Sequence, residues 1–198
     1  MEQDLIKKAI AKDIGAIEAL YDCYAPSLLS VCFRYCGNRD DAEDILHDGF
    51  IKIIQKIQTF KIRSDGSLEA WMRRIIVNTS LNFLRDRNKG KNFLDIAPIL
   101  DKIDFQDEDE ADPEEFYYQV DREKILELIC ELPSGYRSVF NLYVFESYSH
   151  KEIAKALNCS ESTSKSQLFK ARALLKKNLQ SVLNNKLYQN EKRQSSNR

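Results

Sequence analysis

Residues 149–177 read SHKEIAKALNCSESTSKSQLFKARALLKK, and the rest of the chain is organised around them. The stretch predicts two helices joined by a tight turn. The first runs from about His150 to Leu157. Ser149 is its N-cap, and Glu152, three residues on, completes a capping box. Ile153, Ala154 and Leu157 give it one apolar face. Asn158 and Cys159 form the turn, because Asn tolerates the left-handed backbone that closes such corners. Ser160 restarts the chain. In the second helix Leu168, Ala171, Leu174 and Leu175 form a buried stripe. Lys165, Lys170, Arg172, Lys176 and Lys177 supply five cations with no acid among them. Ser162, Thr163, Ser166 and Gln167 add uncharged hydrogen-bonding groups near its start. Such a helix suits the DNA major groove, with N-terminal residues at base edges and cations on phosphates. An ordinary basic amphipathic helix after a short turn is the alternative.

The whole chain bounds that reading. At 198 residues with 43% hydrophobic composition it holds one or two small domains with real cores. Four prolines and six glycines point to helices with few turns, an all-α fold. No signal-peptide pattern and no apolar run of about 20 residues is present, which predicts a soluble cytoplasmic protein. The five cysteines form no CxxC. Cys32 and Cys36 lie one helical turn apart, a spacing open to a metal or redox pair and equally to buried free thiols of a reducing compartment. His47 and His150 have no ligand spacing, so no cofactor or metal is expected.

The net charge of −1 conceals an asymmetry. Residues 1–87 carry 13 basic and 13 acidic groups, residues 88–120 carry 3 and 10, and residues 121–198 carry 14 and 8. A neutral module, an acidic connector and a basic module follow one another, and the basic module is a nucleic-acid footprint that the global charge hides. The predicted boundaries are 4–88, 89–119, 120–183 and a frayed polar tail over 184–198.

In the first module, Ile14 to Tyr24 predict one helix and Pro26 the start of a second, ended by Gly37-Asn38. Asp40 or Asp41 then caps a long helix, DAEDILHDGFIKIIQKI, whose first turn is acidic as the helix dipole prefers. Its apolar positions are wider than one packing stripe, so part of it is expected to serve a partner. Gly49, mid-helix, either permits close approach of another chain or is a tolerated weak spot. A loop at 60–67 leads into LEAWMRRIIVNTSLNFLRDRNK, capped by Ser67. There Trp71 with Arg73, Arg74, Arg85 and Arg87, and Asn78, Thr79 and Asn82 on one side, suit single-stranded DNA, where bases stack and backbone charge is neutralised. A polar face over an aromatic core fits the same residues. The connector, with DFQDEDEADPEE, is too acidic to pack by itself and carries at most a short helix near 93–100. In the second module an amphipathic helix ends at Pro133, and another, from Ser134 to Phe145, leads into the helix-turn-helix. No catalytic constellation appears: no Ser/His/Asp set, no phosphate-binding Gly loop, no metal spacing.

Three blocks in order, AIEALYDCYAPSLLSVCFRYCGNRDDAEDILHDGFIKIIQKI, GSLEAWMRRIIVNTSLNFLRDR and LPSGYRSVFNLYVFESYSHKEIAKALNCSESTSKSQLFKARALLKK, resemble the extracytoplasmic-function (ECF) sigma factors of the sigma-70 family. The resemblance runs from Ala16 to Lys177, the connector apart. It implies two small helical domains on a flexible acidic linker, non-enzymatic, that bind core RNA polymerase and promoter DNA. The helix at 40–57 resembles region 2.2, which docks on the clamp of the largest polymerase subunit, with Asp44, Leu46, His47, Asp48 and Phe50 as docking residues. His47 and Asp48 depart from the usual Gln and Glu. Residues 60–87 resemble regions 2.3 and 2.4, which melt the minus-ten element and hold its flipped bases, here with Arg63, Trp71, Arg74, Asn78, Asn82 and Arg85. Residues 132–177 resemble region 4, which reads the minus-thirty-five duplex, here with Thr163, Lys165, Ser166, Phe169, Lys170 and Arg172. Ser164 stands where Val is usual, implying looser packing. Further implied partners are the flap of the second-largest subunit and an anti-sigma factor; no small-molecule substrate is implied, and the connector would follow the RNA-exit path. A stand-alone helix-turn-helix regulator would account for residues 132–177 alone and leave the first module without a role.

Overall fold

The computed structural model describes residues 2–60, 67–87 and 121–195, with backbone alone for residue 2 and residues 185–195. The loop position Arg63, the expected short helix at 93–100 and the acidic connector lie outside them. The described residues form eight α-helices and no strand. Among them, no helix is long and apolar enough to cross a membrane. The chain divides into two compact units, Met1–Gly90 and Lys91–Arg198.

Unit one opens with α1 (Glu2–Ile10), which lays Ile6 and Ala9 against the rest. The sequence reading contained no helix before Ile14. α2 (Ile14–Cys36) is one continuous helix with Pro26 inside it, where two helices were expected. An interior proline costs roughly 3 kcal/mol. Leu20 on one side of it and Leu28, Val31, Cys32 and Tyr35 on the other are all at most 2% exposed. Burying each such side chain is worth roughly 1.5–3 kcal/mol, so burial outweighs the proline. Gly37 closes α2 at φ 81, and its N–H returns to the Phe33 carbonyl.

The N-cap of α3 (Arg39–Lys56) is Asn38, whose side-chain oxygen accepts from the Asp41 N–H; the cap had been expected at Asp40 or Asp41. Those acids instead occupy the first turn, where the dipole favours them. A 3-10 turn, Ile57–Thr59, ends α3. α4 (Leu68–Arg87) then packs on both α2 and α3. Gly49 permits that packing: a Cβ there would stand 2.4 Å from Ile76 Cδ1, in a core where Ile76 is fully buried. The close approach is therefore within the chain. Arg87 pairs with Asp41 and ties the end of α4 to the start of α3.

Cys32 and Cys36 belong to this core. Burial, then the neighbouring Cys36, pushes the Cys32 thiol up to about 12, so it stays protonated at neutral pH. Cys36 Sγ donates to the Cys32 carbonyl at 3.1 Å. Both behave as small apolar groups.

Unit two holds α5 (Arg122–Glu131), α6 (Ser134–Phe140), a π-helical turn (Asn141–Phe145), α7 (His150–Leu157) and α8 (Glu161–Ser195). The helix expected over 134–145 thus changes to a wider turn at Asn141. α5, α6 and α7 all pack on α8. Leu168, Ala171, Leu175 and Leu179 form its buried stripe, each at most 5% exposed. α8 runs 35 residues and stays helical through most of the segment expected to fray. Between 161 and 195 no Gly or Pro interrupts it.

Candidate functional site

The geometry of α7 and α8 follows from short-range chemistry. Ser149 and Glu152 make the capping box in both directions. Asn158 adopts φ 53 and closes α7, with its N–H on the Ala154 carbonyl. Ser160 caps α8 by accepting the Thr163 N–H at 2.9 Å. These bonds set the second helix across the first, and α8 turns its polar half outward. Lys165, Ser166, Phe169 and Arg172 are exposed on that half, with Phe169 at 47%, while Thr163 and Lys170 are half-buried. Thr163 Oγ1 is held by Ser160 Oγ at 2.7 Å, and Ser166 Oγ donates to the Thr163 carbonyl. The six sequence-predicted residues of this helix thus all lie outside the buried stripe, with Thr163 and Arg172, nine residues apart, at the two edges of the polar half. Lys165 pairs at 3.3 Å with Glu161, but both are more than half exposed, so water screens the pair.

Ser164 is fully buried. Its Oγ meets His150 Nδ1 at 2.9 Å and bridges the two helices. The Tyr143 ring stacks on the imidazole, with centroids 4.8 Å apart, and Arg172 lies over the Tyr143 ring. Burial, then the Lys165 charge, holds the His150 imidazole below its ordinary proton affinity, with Arg172 acting the same way and Glu161 against it. Pattern reading missed this link, because it joins positions from three elements.

In unit one α4 carries a second polar row. Arg74, Asn78, Asn82 and Arg85 are exposed at spacings of four, four and three, so they share one face. Arg85 Nη1 donates to Asn82 Oδ1 at 3.0 Å. At the start of the row Trp71 is half-buried against Phe60, ring centroids 5.4 Å apart. Thr79 does not join this face. It is 5% exposed, donates to the Ile75 carbonyl and accepts from Lys52 Nζ at 3.3 Å, tying α4 to α3.

The expected docking residues of α3 divide. Asp44, His47 and Asp48 are exposed. Leu46 and Phe50 are only 4% and 5% exposed, because they lie on the inward side that packs unit one. Phe50 still floors a groove of about 480 Å³ between α2 and α3, with Tyr21 edge-on to it at 4.8 Å. Ile17, Tyr21, His47, Ile51 and Ile54 also line the groove, and Tyr21 and Ile51 are both 42% exposed. The α2 wall was missed in the sequence; its signal was Ile14, Ile17 and Tyr21, an outward stripe at helical spacing. Among the described residues no group of three His, Cys, Asp or Glu side chains is placed to hold a metal.

Comparison with known proteins matches both units. Residues 20–90 match the model of Sigma-70 region 2, and residues 122–175 match that of Sigma-70, region 4. The RNA polymerase sigma-H factor of Pseudomonas aeruginosa is 27% identical over 188 residues, covering 92% of this chain and 95% of that protein. The ECF RNA polymerase sigma factor SigW of Bacillus subtilis is 28% identical over 187 residues, covering 90% and 98%. A solved structure, the sigma factor RpoE in complex with the anti-sigma factor NepR from Bartonella quintana, aligns with TM-score 0.49 and 22% identity over 83% of this chain and 96% of that one. The two family matches together span more than half of the sequence, in the order in which the two units occur. The chain belongs to the sigma-70 family of RNA polymerase sigma factors, in its ECF group.

Proposed function

We propose that the two units divide the work of a promoter-recognition subunit. Unit one docks the chain on core polymerase through the α2–α3 groove. Its apolar floor and exposed Tyr21 and Ile51 suit an amphipathic helix of the clamp of the largest subunit. Asp44 and Asp48 beside it favour a partner helix with cations at its edge. The α4 row then holds the melted minus-ten strand: Arg74 and Arg85 on phosphates, Asn78 and Asn82 on base edges, and Trp71 as a stacking surface. Unit two reads the minus-thirty-five duplex with α8 and docks on the flap of the second-largest subunit, for which exposed Val144 and Phe145 are the apolar contact. An anti-sigma factor that covers the α2–α3 groove would silence the chain by competing with the clamp. The protein works in the cytoplasm, beside its polymerase. RNA synthesis belongs to the polymerase; a sigma factor is a non-catalytic initiation subunit.

Each unit has a small nucleic-acid surface, so its own affinity for DNA is weak and salt-sensitive. Joining both to polymerase raises their effective concentration at two promoter elements. The observation that carries this reading is the coexistence, in one chain, of an exposed cationic helix-turn-helix and a separate helix bearing an Arg/amide row beside an aromatic pair. A stand-alone regulator uses only the first.

Run-off transcription with purified bacterial core polymerase and a library of promoter fragments tests it. Transcripts that depend on the chain are expected. Sequence-specific binding to an operator without polymerase, with no dependent transcript, would hand the case to the stand-alone regulator.

A further inference from the structure

The hydroxyl of Ser164 is fully buried, and its one hydrogen-bond partner among the described residues is His150 Nδ1, at 2.9 Å. A buried hydroxyl that donates to nothing is costly. Donation here requires Nδ1 to carry no proton. The neutral imidazole therefore holds its proton on Nε2. A second proton would turn Nδ1 into a donor and orphan the Ser164 hydroxyl, which acts in the same direction as the burial and the Lys165 and Arg172 charges around the ring. The Tyr143 ring, stacked at 25° to the imidazole, fixes its plane. Nε2 makes no hydrogen bond among the described residues, and the side chain is half exposed.

This donor stands at the first residue of α7, in the helix that crosses the DNA backbone when a helix-turn-helix docks. Of the charged groups that act on the imidazole, Lys165 and Arg172 on α8 are cations of the proposed duplex contact, and Glu161 opposes them; on its own helix Glu152 is engaged by the Ser149 N–H, and the π-turn contributes Tyr143. The surroundings of Nε2–H thus favour an anion. We propose that His150 is a further contact of the minus-thirty-five duplex: its Nε2–H, held in that tautomer by Ser164, donates to a backbone phosphate. The inference rests on the reading of unit two as the duplex-binding module. Ser164 is a positioning residue in this scheme and touches no DNA. Because the donor is neutral, it adds geometry to the contact without adding a cation.

Two measurements test it. Ring ¹⁵N NMR of the full chain, free in solution above pH 7, reads the tautomer directly. Nδ1 is expected as the unprotonated nitrogen and Nε2 as the protonated one; the reverse overturns the proposal. The second is a scan of minus-thirty-five duplexes, from a promoter mapped by run-off transcription, with one neutral methylphosphonate at successive backbone positions, bound by polymerase carrying the full chain. Wild type is expected to lose about tenfold in affinity at one position where His150→Phe, which keeps the stacked ring, loses nothing further. Equal losses by both proteins at every position overturn the contact. His150→Phe leaves the Ser164 hydroxyl without its partner, so the scan is repeated with Ser164→Val against His150→Phe/Ser164→Val, which removes that penalty from the comparison. The Lys165→Ala/Lys170→Ala variant separates the two readings. If it binds the unmodified duplex like wild type, α8 does not read the duplex. If it binds weakly while His150→Phe stays as phosphate-sensitive as wild type, only the His150 contact fails.

Discussion

α4 and α8 are both helices that bury one side and turn the other to solvent, and they do so with different chemistry. α4 offers two arginines and two amides in a single row, next to the Phe60–Trp71 pair, and residues 1–87 around it carry no net charge. α8 offers lysines, hydroxyls and Arg172, and residues 121–198 carry a net charge of +6. A planar amide or aromatic group matches a base taken out of its stack, whereas point charges match a phosphate backbone whose bases stay paired. On the proposed function, the difference teaches how one chain can separate melting from duplex reading. The two helices also stand on their cores differently. α4 is pressed onto α3 through a glycine, and α8 is held by a capped turn and a His–Ser bridge.

Gly49→Leu should break the comparison most severely. The added side chain has no space beside fully buried Ile76, and overpacking of this kind costs about 3 kcal/mol. Calorimetry should show a lower melting temperature for unit one, with loss of core binding, while duplex binding by unit two persists. A loss confined to unit two would refute the stated role of this contact. The Lys165→Ala/Lys170→Ala pair should lower the slope of log affinity for duplex against log salt by roughly 2, leaving core affinity unchanged. An equal loss of both would remove α8 from its assigned role. Ser149→Ala deletes the capping box and should destabilise unit two by about 1 kcal/mol, read by chemical denaturation.

The smallest effect is on pH. His150 is held below its ordinary value of 6.5, so the unfolded chain takes up its proton first as pH falls. The contribution of neutral His150 to the stability of unit two is therefore complete above about pH 6.5 and is lost as pH drops through the lower folded value. His150→Phe should flatten that part of the curve; an unchanged pH dependence would exclude His150 as its source.

Where local chemistry decides structure, the sequence was legible. The α7–α8 turn followed from Ser149, Glu152, Asn158 and Ser160, all acting within a few residues. In α4, spacing placed Asn78 and Asn82 together, while Arg74 and Arg85 joined their row through the family resemblance. Local rules failed where packing overrode them. Pro26 signals a helix start, yet buried side chains on both sides carry α2 through it. Thr79 is adjacent to Asn78 in sequence, but one residue is 100° of turn, which sends it into the core. The acids at 40 and 41 pass for caps in the sequence although Asn38 is the cap, because residues suited to capping also suit the first turn. The α2–α3 groove was illegible for another reason. It exists only once two helices lie side by side, and neither stripe alone says what faces it.

Permanganate probing of unpaired thymines in polymerase–promoter complexes tests the division of labour most directly. Arg74→Ala/Asn78→Ala should still bring polymerase to the promoter, with little minus-ten reactivity at low temperature. Lys165→Ala/Lys170→Ala should reduce occupancy, while the complexes that do form melt normally. Loss of thymine reactivity from bound complexes of the α8 variant, with normal melting by the α4 variant, would contradict the account.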